Sequence, residues 1–321
     1  MKRIDAYEAA EFLRQNDDYL IMMHASPDGD TLGCGYALCG ILQRMGKRAR
    51  AVCPDPIPKR FDYMFRAVRS QEFDPKTIVC VDVADTKLLG ELKETGDRAA
   101  LCIDHHISNT EYAELIYLKP EYASASECVY DVICALGEEI DKEIANCIYT
   151  GIATDTGCFR YSNTTPQAHM IAAVMIKCGA EITPINYAMF DMKTHGRLRL
   201  EREVLNGIKF FADGHIAVIS VTLDMLERIK DIDSDDVGAL SALPRQIEGV
   251  DIGISIKEKK QGVYKVSLRS GERINVSDIC CQFGGGGHAR AAGCTFECSY
   301  EETERRIIEA SCRAIEEAGI E

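Results

Sequence analysis

Short apolar runs alternate with longer helical patterns through the first half of the chain, and this alternation strongly constrains the fold. The apolar runs are continuous or rich in β-branched residues, as in strands that are covered on both faces. They lie at residues 19–23, 48–53, 77–83, 99–103 and 114–118, and helical patterns cover residues 31–45, 124–136, 142–153 and 166–178. Because strands separated by helices favour parallel pairing, we predict an α/β domain with a doubly wound, mostly parallel sheet.

The pattern changes after residue 190. A charged helical stretch covers residues 193–211 and is followed by strand patterns at 215–222, 250–257 and 263–268. A run of four glycines precedes the segment HARAAG, whose small residues favour a helix packed close to the loop, and an amphipathic helix closes the chain at about residues 300–318. These features predict a second, smaller α/β domain.

The length of 321 residues is enough for two domains, each with its own core. We place the first domain at residues 1–190 and the second at residues 214–321. Residues 191–213 between them are predicted to form a linker helix.

The charge balance disfavours one class of partner. The chain has 37 Lys and Arg against 51 Asp and Glu, a formal net charge of −14. Proteins that bind long nucleic acid are usually basic, because neutralising phosphates dominates their affinity. We therefore expect no long duplex partner, and any nucleic-acid ligand to be short or bound through metal ions.

The cysteines and the hydropathy pattern indicate the compartment. There are 15 cysteines, and pairs such as Cys34 and Cys39 lack the CxxC spacing of a structural zinc site. So many thiols are typical of a reducing environment. The chain has neither a signal-peptide pattern nor an apolar run of about 18 residues that would cross a bilayer. We predict a cytoplasmic protein that makes no membrane contact.

Acidic residues and histidines follow the ends of several predicted elements. Each of these residues alone is most simply explained as a helix cap or a turn residue. Their conjunction is more informative, because ligands of open α/β sheets bind at the carboxyl ends of the strands. The four clusters are HASPDGD at 24–30, VDVAD at 81–85, DHH at 104–106 and TDTG at 154–157.

Several carboxylates in one crevice would repel one another unless a cation were bound. Carboxylate and imidazole donors without thiolates suit Mn²⁺ or Mg²⁺, and more than four donors indicate two ions. Two divalent ions are a common device for displacement at phosphorus. The residues therefore predict a binuclear phosphoesterase.

The same clusters resemble the ordered motifs of the DHH phosphoesterase family. The triplet Asp104-His105-His106 matches the signature that names the family, and FGGGGHARAAG at 283–293 resembles the glycine-rich motif of the DHH-associated C-terminal domain. The resemblance covers nearly the whole chain. Within the family the chain is most similar to the nanoRNases, which are bifunctional oligoribonucleases and 3′-phosphoadenosine 5′-phosphate (pAp) phosphatases.

The resemblance implies roles for individual residues. One metal ion would be held by His24, Asp28 and Asp82, and the other by Asp30, Asp82, His105 and Asp155. Asp82 would then be the shared ligand, and His106 would bind the scissile phosphate or donate a proton to the leaving oxygen. The residues expected to orient the ligands are Asp85, Asp104 and Thr156.

The second domain is expected to bind substrate. The backbone N–H groups of Gly285, Gly286 and Gly287 are unobstructed by side chains, so a phosphate can approach them closely. His288 and Arg269 would complete the anion site. The implied substrates are very short oligonucleotides and pAp, with two divalent ions as cofactors: Mn²⁺ first, and Mg²⁺ or Co²⁺ as alternatives.

Other interpretations remain open at this stage. The substrate could instead be a linear or cyclic dinucleotide, as in cyclic-di-AMP turnover, or the end of single-stranded DNA. A nucleotide-binding module without catalysis is a third hypothesis, but every expected metal ligand is present. Family precedent also makes a homodimer plausible.

Overall fold

The chain forms two compact units, Met1–Met192 and the residues from Lys193 onward. The computed structural model describes residues 1–232 and 234–320, and of residues 234 and 235 the backbone alone. Each unit has its own sheet and its own core. In the part of the chain that is described, no helix combines the length and the apolar character that a membrane span requires.

The first unit contains a six-stranded sheet flanked by helices. Its strands are β1 (Lys2–Arg3), β2 (Tyr19–Met22), β3 (Ala49–Val52), β4 (Thr77–Val81), β5 (Leu101–Asp104) and β6 (Leu115–Leu118). Its helices are α1 (Ala6–Gln15), α2 (Gly29–Arg44), α3 (Lys93–Gly96), α4 (Ala125–Leu136), α5 (Lys142–Asp155), α6 (Pro166–Lys177) and α7 (Ile182–Asn186), with 3-10 turns at Lys59–Ala67 and Thr86–Leu92 and a π turn at Tyr187–Asp191. The strand order is β1-β6-β5-β4-β2-β3, and every pair is parallel. The predicted doubly wound α/β fold is confirmed.

Side-chain caps fix where the helices around the sheet begin. Asp28 caps α2 by accepting from the N–H groups of Asp30 and Thr31, so this helix starts at Gly29 rather than at residue 31. Ser124 and Glu127 form a reciprocal capping box at the start of α4. Strand β4 ends at Val81, earlier than predicted, because Asp82 has a left-handed backbone with φ of +58°.

The second unit contains a mixed six-stranded sheet. Its strands are β7 (Lys209–Phe211), β8 (Ile216–Val221), β9 (Ile252–Lys260), β10 (Val263–Ser270), β11 (Gly286–His288) and β12 (Ala291–Glu297). Its helices are α8 (His195–Asn206), α9 (Leu223–Arg228), α10 (Ser234–Ala239), α11 (Val276–Cys281) and α12 (Tyr300–Glu317), with 3-10 turns at Ala212–Gly214, Leu240–Ala242 and Pro244–Gln246. The strand order is β11-β12-β10-β9-β8-β7, in which only β8 and β9 are parallel.

Two predictions for this unit are wrong. The charged helix ends at Asn206 rather than at residue 211, because residues Lys209–Phe211 turn back at Ala212–Gly214 and pair with β8. The segment HARAAG is not a helix. Its last two alanines, Ala291 and Ala292, begin β12, where Ala292, Cys294 and Phe296 alternate into the core and pair with β10.

The two faces of the second sheet are covered differently. On one face, Val266 and Leu268 of β10 pack in a core with residues of α11 and α12. On the other face, Ile219 and Val221 of β8 pack in a smaller core with Leu200 of α8. The smaller core covers this second face at β8. Farther along the same face, residues of β10 and β12 line a cavity.

Candidate active site

Three neighbouring strands of the first unit deliver the predicted donors to one edge of the sheet. His24 follows β2, Asp82 follows β4, and Asp104, His105 and His106 end or follow β5. These strands are adjacent in the order β5-β4-β2 and run parallel, so their carboxyl ends meet. The start of α2 adds Asp28 and Asp30, and the end of α5 adds Asp155.

The donors form two groups that share Asp82. In the first, His24 Nε2 lies 3.3 Å from Asp82 Oδ2 and 3.8 Å from Asp28 Oδ1. In the second, His105 Nε2 lies 3.7 Å from Asp82 Oδ1, 3.4 Å from Asp155 Oδ2 and 4.0 Å from Asp30 Oδ2. The two oxygens of Asp82 thus face different groups. The ligand atoms of His24, Asp28 and Asp82 all lie within 4.8 Å of one another, as do those of Asp30, His105 and Asp155, so each set could hold a cation.

Two buried atoms in these groups have no hydrogen-bond partner among the described residues: Asp82 Oδ1 and His105 Nε2. An unpaired polar atom in the interior is costly. Coordination of a metal ion would satisfy both atoms, and carboxylate oxygens with imidazole nitrogens are suitable donors. The residues present therefore fit divalent cations.

The electrostatics of the groups support the same conclusion. Burial raises the pKa of Asp82 well above its usual range, and the nearby charge of Asp30 raises it further. Burial and the charge of Asp30 likewise raise the pKa of Asp155. Burial also raises the pKa of Asp30. Two buried carboxylates and the partly buried Asp155 this close together are unfavourable as anions until a cation offsets their charge.

Asp104 is fully engaged by hydrogen bonds. Its Oδ1 accepts from the backbone N–H of His105 at 2.8 Å and pairs with His106 Nδ1 at 2.8 Å, while its Oδ2 accepts from Asn109 Nδ2 at 2.5 Å. Burial works to raise the pKa of Asp104, but the hydrogen bonds from His106 and Asn109 and the nearby histidine charges together outweigh it, and the pKa is lowered. Burial works to lower the pKa of His106, and Asp104 outweighs it, so that pKa is raised. Asp104 therefore orients His106 and favours its protonated form.

The start of α4 positions Asp30, a contact that the sequence analysis missed. The backbone N–H groups of Ala125 and Ser126 donate to the two carboxylate oxygens of Asp30 at 2.6 and 2.9 Å. The capping box of Ser124 and Glu127 holds this helix start in place. Its S-x-x-E pattern is visible in the sequence, but its target lies 95 residues earlier in the chain.

Two of the residues expected to orient ligands make other contacts. Asp85 caps the turn Thr86–Leu92 by accepting from the backbone N–H of Lys87. Thr156 donates to the carbonyl of Ile152 and accepts from the N–H of Phe159, which fixes the chain where it leaves α5. Asn109, which was not predicted, is the residue that supports Asp104.

In the second unit, part of the predicted anion site surrounds a cavity of about 470 Å³. Arg269, Gly285 and Gly286 line it, together with Lys265, Ser267 and Gly284. Gly287 and His288 lie beside it in β11, are exposed and do not line it. Arg269 is held by a bond to the carbonyl of Leu268 and a longer contact of 3.4 Å to Ser241 Oγ.

Gly285 is required by the packing of this loop. A Cβ atom at Gly285 would lie 2.6 Å from Cys294 Cβ and still closer to the carbonyl oxygen of Gly293. The preceding Gly284 has φ of +71°, in the left-handed region that favours glycine. The loop can therefore approach β12 closely only without side chains.

Comparisons with known proteins identify the family of both units. Residues 18–152 match the N-terminal domain of the DHH family, and residues 216–317 match the DHHA1 domain. The chain is 31% identical over 307 residues to the bifunctional oligoribonuclease and PAP phosphatase NrnA of Thermus thermophilus, covering 93% of this chain and 90% of that protein.

Solved structures share the fold. An exopolyphosphatase-related protein from Bacteroides fragilis superposes with a TM-score of 0.85 at 27% identity, covering 95% of this chain and 94% of that one. RecJ of Thermus thermophilus, solved in complex with Mn²⁺, superposes with a TM-score of 0.56 at 15% identity. The match covers 96% of this chain and 55% of RecJ. The chain belongs to the DHH family and is a phosphoric ester hydrolase.

Proposed function

We propose that this protein uses two divalent ions, most simply Mn²⁺, to hydrolyse very short oligonucleotides to mononucleotides and to convert pAp to AMP. The observation that carries this proposal is the position of Asp82, whose two carboxylate oxygens face two separate groups of donors. The activity named for the Thermus thermophilus relative supports the choice of substrates.

The proposed ligands are those of the two donor groups. One ion would be held by His24, Asp28 and Asp82, and the other by Asp30, Asp82, His105 and Asp155. When bound, the ions would offset the charge of the phosphoryl group and favour deprotonation of the attacking water.

The residues of the chain then supply orientation and proton transfer. The N–H groups at the start of α4 hold Asp30 in one orientation, so that its donor atom is placed before an ion binds. Asp104 holds His106 through Nδ1. Nε2 of His106 is then the atom that would donate a proton to the leaving oxygen or bind the scissile phosphate.

The cavity of the second unit is proposed to bind another phosphate of the same substrate. Gly285 and Gly286 line it without side chains, so a phosphate can approach closely, and Arg269 offers a guanidinium; the N–H of Gly285 itself donates to the carbonyl of Cys280 at 3.0 Å. Such a site favours a ligand that carries at least two phosphates, as both pAp and a 5′-phosphorylated dinucleotide do. The chain has a net charge of −14, which disfavours binding of a long polyanion, so we propose that long duplexes are not substrates.

The cellular setting is also a proposal. All 15 cysteines are free, as expected of a protein in a reducing compartment such as the cytoplasm.

The test is release of mononucleotide from a 5′-phosphorylated diribonucleotide, with pAp, a cyclic dinucleotide and a twenty-nucleotide single strand in parallel. The protein is treated with chelator and then supplied with Mn²⁺, Mg²⁺ or Co²⁺. We expect Mn²⁺ to restore rapid turnover of the dinucleotide and pAp, with slow cleavage of the long strand. Faster cleavage of the long strand or of the cyclic dinucleotide would contradict the proposed substrates.

A further inference from the structure

The open face of the second sheet has a cationic row next to the anion cavity. In β10, residues Lys265, Ser267 and Arg269 alternate onto one face, and all three line the cavity. The strand register places Ser267 beside Gly293, which pairs in turn with Gly286 of the glycine loop. Ser267 is therefore in register with the loop, with Arg269 on one side of it and Lys265 on the other.

Lys265 is paired across the sheet with a second lysine. The register of β9 and β10 aligns Lys265 with Lys257, so both side chains are on the open face. Like charges directly opposite each other destabilise a sheet. Among the described residues, no carboxylate lies within ion-pair distance of either lysine. Burial, followed by the charges of Lys259 and Lys265, lowers the pKa of Lys257, as expected where no acid compensates.

Solubility does not explain this pair. Lysines are often placed on edge strands, where they prevent pairing with another chain. Strands β9 and β10 are interior, because β9 lies between β8 and β10, and β10 lies between β9 and β12. A cross-strand pair of cations in the interior of a sheet, beside a cavity lined by arginine and glycine, instead indicates an anionic ligand.

The spacing fits a ligand with successive phosphates. Residues two apart on a strand are separated by about 7 Å, so Lys265 is about one such step from Ser267 and two steps from Arg269. A phosphate at the glycine loop and Arg269 would leave the lysine pair within reach of the next phosphate along the same chain. One nucleotide can span the interval between them.

We propose that Lys257 and Lys265 bind the phosphate one nucleotide beyond the one held by Arg269 and the glycine loop. The proposal rests on the proposed function and deepens it. The lysine pair would contribute to the binding of substrates with three phosphates, such as a 5′-phosphorylated trinucleotide. Substrates with two phosphates, such as pAp and the 5′-phosphorylated dinucleotide, do not need the pair.

The experiment measures KM and kcat of the full-length, Mn²⁺-loaded protein on three substrates: pAp, pApA and pApApA. The variants are Lys257→Met, Lys265→Met and the double variant, since methionine keeps the length of the side chain and removes its charge. Lys265→Arg tests rescue by another cation. The matched control is Lys230→Met, because Lys230 is an exposed lysine of the same unit that does not line the cavity.

For the double variant we expect KM for pApApA to rise about five- to tenfold with kcat unchanged, because charge-assisted contacts to one phosphate are lost. KM for pAp and pApA should change less than about twofold, since binding of these substrates does not involve the pair. The slope of log KM for pApApA against log salt should fall by about one for each lysine removed. Lys265→Arg, which keeps a cation at this position, should have the wild-type KM for pApApA.

Three results would overturn the inference. One is a double variant that behaves like Lys230→Met on every substrate. Another is an equal rise in KM for all three substrates, which would place the lysines in the main phosphate site. The third is a fall in kcat without a change in KM. Inactivity of the wild-type protein on all three substrates would instead contradict the proposed function itself, and the inference with it.

Discussion

The two units place charged side chains in different environments: the first buries carboxylates, and the second exposes cations on a sheet face. In the first, the carboxylates of Asp30 and Asp82 are buried and close together, so their charge is unfavourable unless cations are bound. In the second, Lys265 and Arg269 line an open cavity on a sheet face. A buried acidic group selects ions that can shed water and coordinate several oxygens. An open cationic face beside a loop without side chains selects phosphates by charge and spacing.

The comparison predicts that damage to the first unit abolishes turnover, whereas damage to the second weakens substrate binding. Asp82→Asn should have the largest effect. Asparagine tolerates the left-handed backbone of residue 82, so the fold is retained while the shared ligand is lost. We expect kcat to fall by about a thousandfold or more in Mn²⁺, because several kcal/mol of charge stabilisation disappears.

The matched control for this variant is Glu139→Gln, which neutralises an exposed acid of the same unit. Thermal unfolding of the chelator-treated Asp82→Asn protein adds a second readout. Its Tm should equal or exceed that of the wild type, since one of three crowded carboxylates is gone. Wild-type kcat in Asp82→Asn would remove this residue from the metal site.

Gly151→Ala tests how closely the first unit packs its ligands. A Cβ atom at residue 151 would lie 2.6 Å from Asp30 Oδ1 and closer still to Ser126 Oγ. We expect a loss of about 1–3 kcal/mol in the free energy of unfolding, because the core has no room for a methyl group. The Mn²⁺ concentration for half-maximal activity should also rise, since Asp30 is displaced.

Gly238→Ala in the second unit is the counterpart. Gly238 lies in α10, and a Cβ atom there would meet nothing within 4 Å. Urea unfolding should show a gain of about 0.4–1 kcal/mol, because alanine restricts the unfolded chain. If both variants changed stability in the same direction, the difference in packing inferred here would be wrong.

Arg269→Met separates binding from chemistry in the second unit. We expect KM for the 5′-phosphorylated dinucleotide to rise about tenfold, equivalent to about 1.4 kcal/mol, with kcat little changed. The Mn²⁺ dependence should match the wild type, because the donors of the first unit are untouched. Arg313→Met, which removes an exposed cation on α12, serves as the control. A shifted Mn²⁺ dependence in Arg269→Met would contradict this division of roles.

Another small expected effect concerns the stability of the second unit at low pH. Asp251 accepts hydrogen bonds from His215 Nδ1 at 2.8 Å and Arg273 at 2.9 Å. Burial works to raise the pKa of Asp251, but these bonds outweigh it and lower the pKa. The ionised carboxylate therefore stabilises the fold above its unfolded pKa of about 3.9, and this contribution is lost as the pH falls through the lowered folded value.

Asp251→Asn should thus cost about 1 kcal/mol at pH 7, as expected for a paired, partly buried carboxylate. The difference from wild type should shrink as the pH falls below about 4. Urea unfolding at pH 7 and pH 3 measures both values. A difference that is the same at both pH values would show that the charge of Asp251 does not contribute.

Some of the active site follows from local sequence patterns. The apolar runs place strands next to His24, Asp82 and Asp104 because a continuous apolar segment must be buried on both faces. Parallel order then follows from the helices between the strands, and with it the meeting of the strand ends. The glycine run likewise identifies a loop that lacks side chains.

Other features depend on contacts between distant residues. The N–H groups of Ala125 and Ser126 carry no side-chain signal, so their bonds to Asp30 appear only when α2 and α4 are packed together. The pairing of residues Lys209–Phe211 with β8 overrides a helical pattern in the same way.

The sequence by itself determined the residue types at the strand ends and therefore the class of chemistry, because burial pattern and chain order are local properties. Only the tertiary structure decided which oxygens of Asp82 face which group, that Gly287 and His288 lie outside the cavity, and that Lys257 faces Lys265. The physical reason is register: a shift of one residue between strands would move these side chains to the opposite face.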